Sequence, residues 1–258
     1  CFLYWMPDPL DNLRNVRDGG KPVVALTAYD YPTGRLVDEA GVDVILVGDS
    51  LGMVVLGYED TSHVSLDEML HHTRATRRGV KRALLVGDMP YKTYETPEQA
   101  LATALALRKA GADMVKLEGG REKEAELRAL VEAGIPMMGH LGMLPQQVVE
   151  EGGYKKKGRS EVEAQRLLAD AQLLEEIGVG AIVLESLMKR VARAITESIS
   201  IPTIGIGSGK GCDGQILVIH DLIGSFPWFC PPFVTPKADV AVAISSSVRS
   251  YIEEVQNG

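Results

Sequence analysis

Short apolar runs, each closed by a glycine or a charged residue, recur along the chain and alternate with stretches whose apolar residues fall at helical spacing. The runs at 22–30, 42–47, 82–91, 112–120, 135–142, 180–186, 201–209 and 214–221 are rich in valine, isoleucine and leucine. Unbroken runs of this kind predict strands buried on both faces. The intervening stretches 31–40, Ser65 to Arg78, 96–110, 121–133, 161–177, 187–198 and 238–255 predict helices. A further short amphipathic helix is expected over 10–18, stopped by Gly19 and Gly20.

The punctuation agrees with the pattern. Ser65 with Glu68 three residues on forms a capping box, and Thr96 followed by Pro97 is a helix start. EAGV (39–42), KAGADM (109–114), EAGIPM (132–137) and EIGVGAIV (176–183) each read as a helix end, a C′ glycine and a new strand. One strand–helix unit is therefore reused along the chain. Strict alternation predicts a parallel sheet, and eight units in about 250 residues favour closure into a single α/β domain, a (β/α)8 TIM barrel spanning 1–258, over an open doubly wound sheet. The proline-rich segment FPWFCPPFV (226–234) is expected to be irregular.

Composition narrows the class. With 258 residues, 45% of them hydrophobic, the chain can bury a large core. A net charge of −8 without a basic stripe points away from nucleic acid. No apolar run approaches the roughly 20 residues that span a bilayer. Cys1, Cys212 and Cys230 are scattered and odd in number, which fits a reducing, cytoplasmic setting. Residues 1–9 read as a ragged terminus.

In a barrel the C-terminal strand ends converge on one mouth, where chemistry is done. That gathers Asp49, Ser50, Asp88, Lys116, Glu118, His140 and Glu185. Unpaired carboxylates packed together would repel and shift each other's pKa values, and a divalent cation resolves the conflict. Oxygen ligands without a nearby cysteine favour Mg2+. The plainer alternative is a set of structural ion pairs at the barrel rim. Lys116 and Glu118 lie two apart on one strand and so face the interior together. Lys116 can then meet a substrate carboxylate while Glu118 meets the metal. A 2-oxo acid offers both a carboxylate and a chelating carbonyl, and its adjacent carbon carries an acidic proton. Glu185, the spare carboxylate, is the candidate base.

Other motifs carry less. GIGSGKG (205–211) fails the P-loop template at Ile204 and Gly211, so a turn or ligand-adjacent loop is expected. His71 and His72 are adjacent on a helix and diverge. They read as surface or packing residues, and the tyrosines at 91–94 as lid or packing.

With these residues in view, the chain resembles the ketopantoate hydroxymethyltransferase family. The motifs are TAYD (27–30), VGDSLGMV (47–54), Asp88-Met89-Pro90, MVKLEGG (114–120), GHLGMLPQ (139–146), GGYKKKGR (152–159), VLES (183–186) and GIGSGKGCDGQILV (205–218). The resemblance implies a (β/α)8 barrel, Mg2+, and transfer of a one-carbon unit from methylenetetrahydrofolate to 3-methyl-2-oxobutanoate. By motif position it implies Asp49, Asp88 and Glu118 at the metal. Ser50 and Lys116 would contact the oxo acid, with Asp49 and Asp88 beside them. His140 would be a pocket hydrogen-bonding group and Glu185 the proton acceptor. It also implies a homo-oligomer, a decamer of stacked pentamers. Gly209 to Cys212 and residues 224–234 depart from the family pattern. Two rivals stand beside this reading: another Mg2+-dependent 2-oxo acid carbon–carbon enzyme on the same barrel, and a barrel that only binds a ligand.

Overall fold

The computed structural model describes residue 13 and residues 19–148 and 152–258 of the chain. Eight parallel strands close into a barrel in sequence order: β1 Val23–Thr27, β2 Val44–Val47, β3 Leu84–Asp88, β4 Met114–Glu118, β5 Met137–Gly142, β6 Ala181–Glu185, β7 Thr203–Ile206 and β8 Gly214–Leu217. The closed barrel, rather than the open sheet, is what the alternation predicted. Closure hinges on Gly214. A Cβ there would lie 2.5 Å from the Cβ and carbonyl oxygen of Val23, and the Val23 amide donates to the Asp213 carbonyl at 2.9 Å.

Chain contacts divide the protein into two compact units, Cys1–Ile216 and Leu217–Gly258. The first holds the barrel interior, where Val44, Leu46, Val86, Met114, Val183 and Ile204 pack in one buried cluster. Each such side chain contributes on the order of 1.5–3 kcal/mol by leaving water. Leu13 joins that cluster in helical conformation. The rest of the helix expected over 10–18, and the terminus 1–9, lie outside the described residues. In the second unit, a short helix Ile219–Ile223 and a long one Val240–Asn257 flank the irregular proline segment.

Helix starts follow their caps. Asp30 accepts from the Thr33 amide at 2.7 Å ahead of α1 (Tyr31–Ala40). The loop after β2 is more ordered than its sequence suggests: it holds α2 (Leu51–Val54) and a 3-10 turn, Thr61–His63. The Ser65/Glu68 capping box opens α3 (Leu66–Gly79). The last strand is shorter than predicted. Residues 219–221, expected to continue it, open the helix Ile219–Ile223, because a short apolar run does not by itself distinguish strand from buried helix. Among the described residues no helix is long and apolar enough to cross a membrane.

Candidate active site

The floor of the barrel mouth is built from register partners. Asp88, the last residue of β3, pairs with Lys116 of β4. The Lys116 ammonium donates to both Asp88 carboxylate oxygens at 2.7 Å and lies 3.9 Å from Glu118 Oε1. All three side chains are no more than 3% exposed. Burial disfavours the charge on Lys116, but Asp88, Glu118 and Asp49 outweigh it and hold its pKa above the usual lysine value. Asp49 follows β2, and its amide donates to Asp88 Oδ2 at 3.3 Å. Burial first, and the neighbouring Asp88 next, push the Asp49 carboxyl well above the usual range. Burial also raises Asp88, against the pull of Lys116.

His140 on β5 stands between two carboxylates. Its Nδ1 is 3.2 Å from Glu118 Oε1 and its Nε2 is 3.3 Å from Glu185 Oε2. These are ion-pair distances without hydrogen-bond alignment, so both ring nitrogens and Glu118 Oε1 are buried without an aligned partner. Burial and Lys116 oppose a charge on the ring, yet Glu118 and Glu185 prevail and raise it to about 9. His140 is therefore an imidazolium at neutral pH. Glu185 ends β6 and is the most open of these groups, its side chain 16% exposed. Gly142, beside it on β5, has φ of 108°. A Cβ at Gly142 would collide with the Glu185 carbonyl, so glycine lets the two strand ends pass.

The barrel thus brings Asp49, Asp88, Lys116, Glu118, His140 and Glu185 into one network. Ser50 stands beside it, its hydroxyl 2.8 Å from the Tyr29 hydroxyl. Sequence reasoning missed Gln146 altogether. Its side-chain amide donates to Asp49 Oδ2 at 2.8 Å and to the Met89 carbonyl at 2.9 Å, and its backbone amide donates to Glu118 Oε2 at 3.2 Å. Tyr94 donates in turn to Gln146 Oε1. Gln146 sits in the GHLGMLPQ motif, but a lone glutamine in a loop has no spacing rule that marks it. Of the two helix histidines, His72 packs inward, its Nδ1 2.6 Å from the Tyr29 carbonyl.

The donor set suits a hard divalent cation: three buried carboxylates, no cysteine, and a single ammonium among them. The unaligned Glu118 oxygen and the raised Asp49 carboxyl both register a shortage of positive charge. Among the described residues no three His, Cys, Asp or Glu side chains form a ready-made metal cage. Mg2+ does not require one, since it commonly keeps several waters and takes only one or two carboxylates.

The sequence profile of a family described as Ketopantoate hydroxymethyltransferase matches residues 9–258. A 3-methyl-2-oxobutanoate hydroxymethyltransferase of Ignicoccus hospitalis is 51% identical over 249 residues, covering 96% of this chain and 94% of that protein. One of Oleidesulfovibrio alaskensis is 53% identical over 235 residues, covering 90% of this chain and 81% of that protein. Among solved structures, phosphonopyruvate hydrolase in complex with oxalate and Mg++ aligns with a TM-score of 0.64 at 15% identity, over 96% of this chain and 87% of that one. That likeness is one of fold.

Proposed function

The chain belongs to the ketopantoate hydroxymethyltransferase family, and from that membership and the geometry of the mouth we propose how it works. It is a hydroxymethyltransferase acting on 3-methyl-2-oxobutanoate in pantothenate biosynthesis. In our reading the donor is 5,10-methylenetetrahydrofolate and the product is 2-dehydropantoate. A carbon–carbon bond forms between C3 of the oxo acid and the one-carbon unit, water provides the hydroxyl, and tetrahydrofolate leaves.

The observation that carries this reading is the polarity of the mouth. A cationic lysine lies at its buried floor and a partly open carboxylate at its outer edge, with an imidazolium beside that carboxylate. Lys116 and Ser50 bind the oxo acid's carboxylate, and Asp49, Asp88 and Glu118 are the residues that would hold Mg2+. When bound, Mg2+ provides Lewis-acid polarisation of the substrate carbonyl. Lys116 must exchange part of its pairing with Asp88 for the substrate carboxylate. Glu185, held 3.3 Å from His140 Nε2 at the open edge, takes the C3 proton. The test is formation of 2-dehydropantoate from the two substrates with and without chelator. Activity is expected to vanish on chelation and return with divalent metal. Full turnover in excess chelator, with no metal detectable in the protein, would contradict the metal assignment.

A further inference from the structure

Between Gly152 and Ser160 the chain crosses the mouth. It is tied to the end of β6: the Lys157 amide donates to the Ser186 carbonyl at 3.0 Å and the Met188 amide donates back to the Lys157 carbonyl at 2.9 Å. Arg190 adds bonds to the carbonyls of Gly158 and Arg159 at 3.2 and 3.3 Å. Ser186, next to Glu185, has a φ of 51°, a left-handed conformation that a serine adopts only where its surroundings impose it. From this anchorage Tyr154 reaches the opposite side of the barrel, where its hydroxyl donates to Met53 Sδ at 3.7 Å. Met53 lies in α2, just after Asp49 and Ser50 at the end of β2. Strands β2 and β6 are four apart in an eight-stranded barrel, so the Tyr154–Met53 contact spans the mouth.

Tyr154 is positioned by depth as well. Tyr154 is 56% exposed, whereas Asp49, Asp88 and Lys116 on the floor are almost wholly buried. Burial and the carboxylates of Glu185, Asp49, Asp60 and Glu118, in that order, push the hydroxyl up to about 12, so it stays a hydrogen-bond donor to Met53. In the reading above, a small oxo acid held between Lys116 and Glu185 would occupy the floor. The next surface outward is an aromatic ring beside a thioether, a pairing suited to the face of a flat heterocycle.

We propose that Tyr154 and Met53 form the wall of the second-substrate subsite, a positioning pair that packs on the planar pyrimidinone ring of the one-carbon donor and holds the donor against the carbon that Glu185 deprotonates. This rests on the assignment of a folate donor above. The variants are Tyr154→Ala, Met53→Ala and Tyr154→Phe, assayed for the KM of each substrate and for exchange of the C3 proton of 3-methyl-2-oxobutanoate with deuterated solvent. Loss of one ring's stacking should raise the donor KM about tenfold in Tyr154→Ala. Met53→Ala should raise it less. The oxo-acid KM and the proton exchange should stay at wild-type values, and Tyr154→Phe, which keeps the ring, should recover most of the donor affinity. An unchanged donor KM, or a parallel loss for both substrates, would overturn the proposal. A wild-type protein that fails to turn over with methylenetetrahydrofolate would instead refute the donor assignment.

Discussion

Asp88 has two tasks, and its substitution separates them from simple packing. It is the bidentate partner of a buried ammonium as well as a metal-site residue in our reading. Asp88→Asn strands Lys116, and breaking a buried pair typically costs about 3–5 kcal/mol. Thermal unfolding should fall accordingly, and calorimetric titration should show weakened divalent metal binding. Unaltered metal affinity would remove Asp88 from the metal set. His140 gives a pH signature. Its folded pKa, raised to about 9, lies above the ordinary 6.5. The stability it contributes is therefore complete below about pH 6.5 and is lost as pH rises through 9. In chelator, the wild-type melting temperature should decline over that window more than that of His140→Gln, and parallel curves would contradict the buried imidazolium. The charged members of this site were legible in the sequence because each sits where an apolar run stops. Gln146 was not, because its role depends on three groups that only the folded chain brings within reach: Asp49, Glu118 and the Met89 carbonyl.

At the scale of elements, strands and caps were the legible part. C′ glycines such as Gly41 and Gly178 do adopt the left-handed conformation, with φ of 98° and 101°. The loops were less legible, since their conformations answer to neighbours distant in sequence. The basic run Lys155, Lys156, Lys157 and Arg159 reads from sequence either as a solvated loop or as a steering loop at the mouth, and its backbone is stitched to the residues after Glu185. That places positive charge beside an acidic mouth, where it can attract the anionic glutamate tail of a folate by long-range steering. Replacing the three lysines by glutamine should raise the donor KM, and more at low than at high ionic strength, because exposed charges are screened beyond about 10 Å at 0.1 M salt. A KM that does not move across ionic strength would reject the steering role.

At the scale of the molecule, eight repeated strand–helix units announced the closed barrel, and the barrel explains why residues from Asp49 to Glu185 meet. A homo-oligomer is implied only by the family resemblance, and the long helix Val240–Asn257 bears on it. It has no buried residue, and Ile244, Val248, Tyr251, Ile252 and Val255 fall along one side of it, all exposed. An exposed apolar stripe of this kind marks an interaction surface. In the homo-oligomer that the family resemblance implies, a second copy of the chain would cover it. Sedimentation should show a species heavier than the monomer, and Val248→Asp with Ile252→Asp should shift it downward; a wild-type monomer would contradict this. In our reading the barrel sets a cationic floor beneath Glu185 so that this carboxylate can remove the C3 proton of the oxo acid. The most direct measurement is exchange of that proton with deuterated solvent, followed by NMR for wild type and Glu185→Gln. The variant should still bind oxo acid and metal but lose exchange by the roughly 10²- to 10⁴-fold typical of a general base. Exchange by Glu185→Gln at the wild-type rate would mean that another group takes the proton.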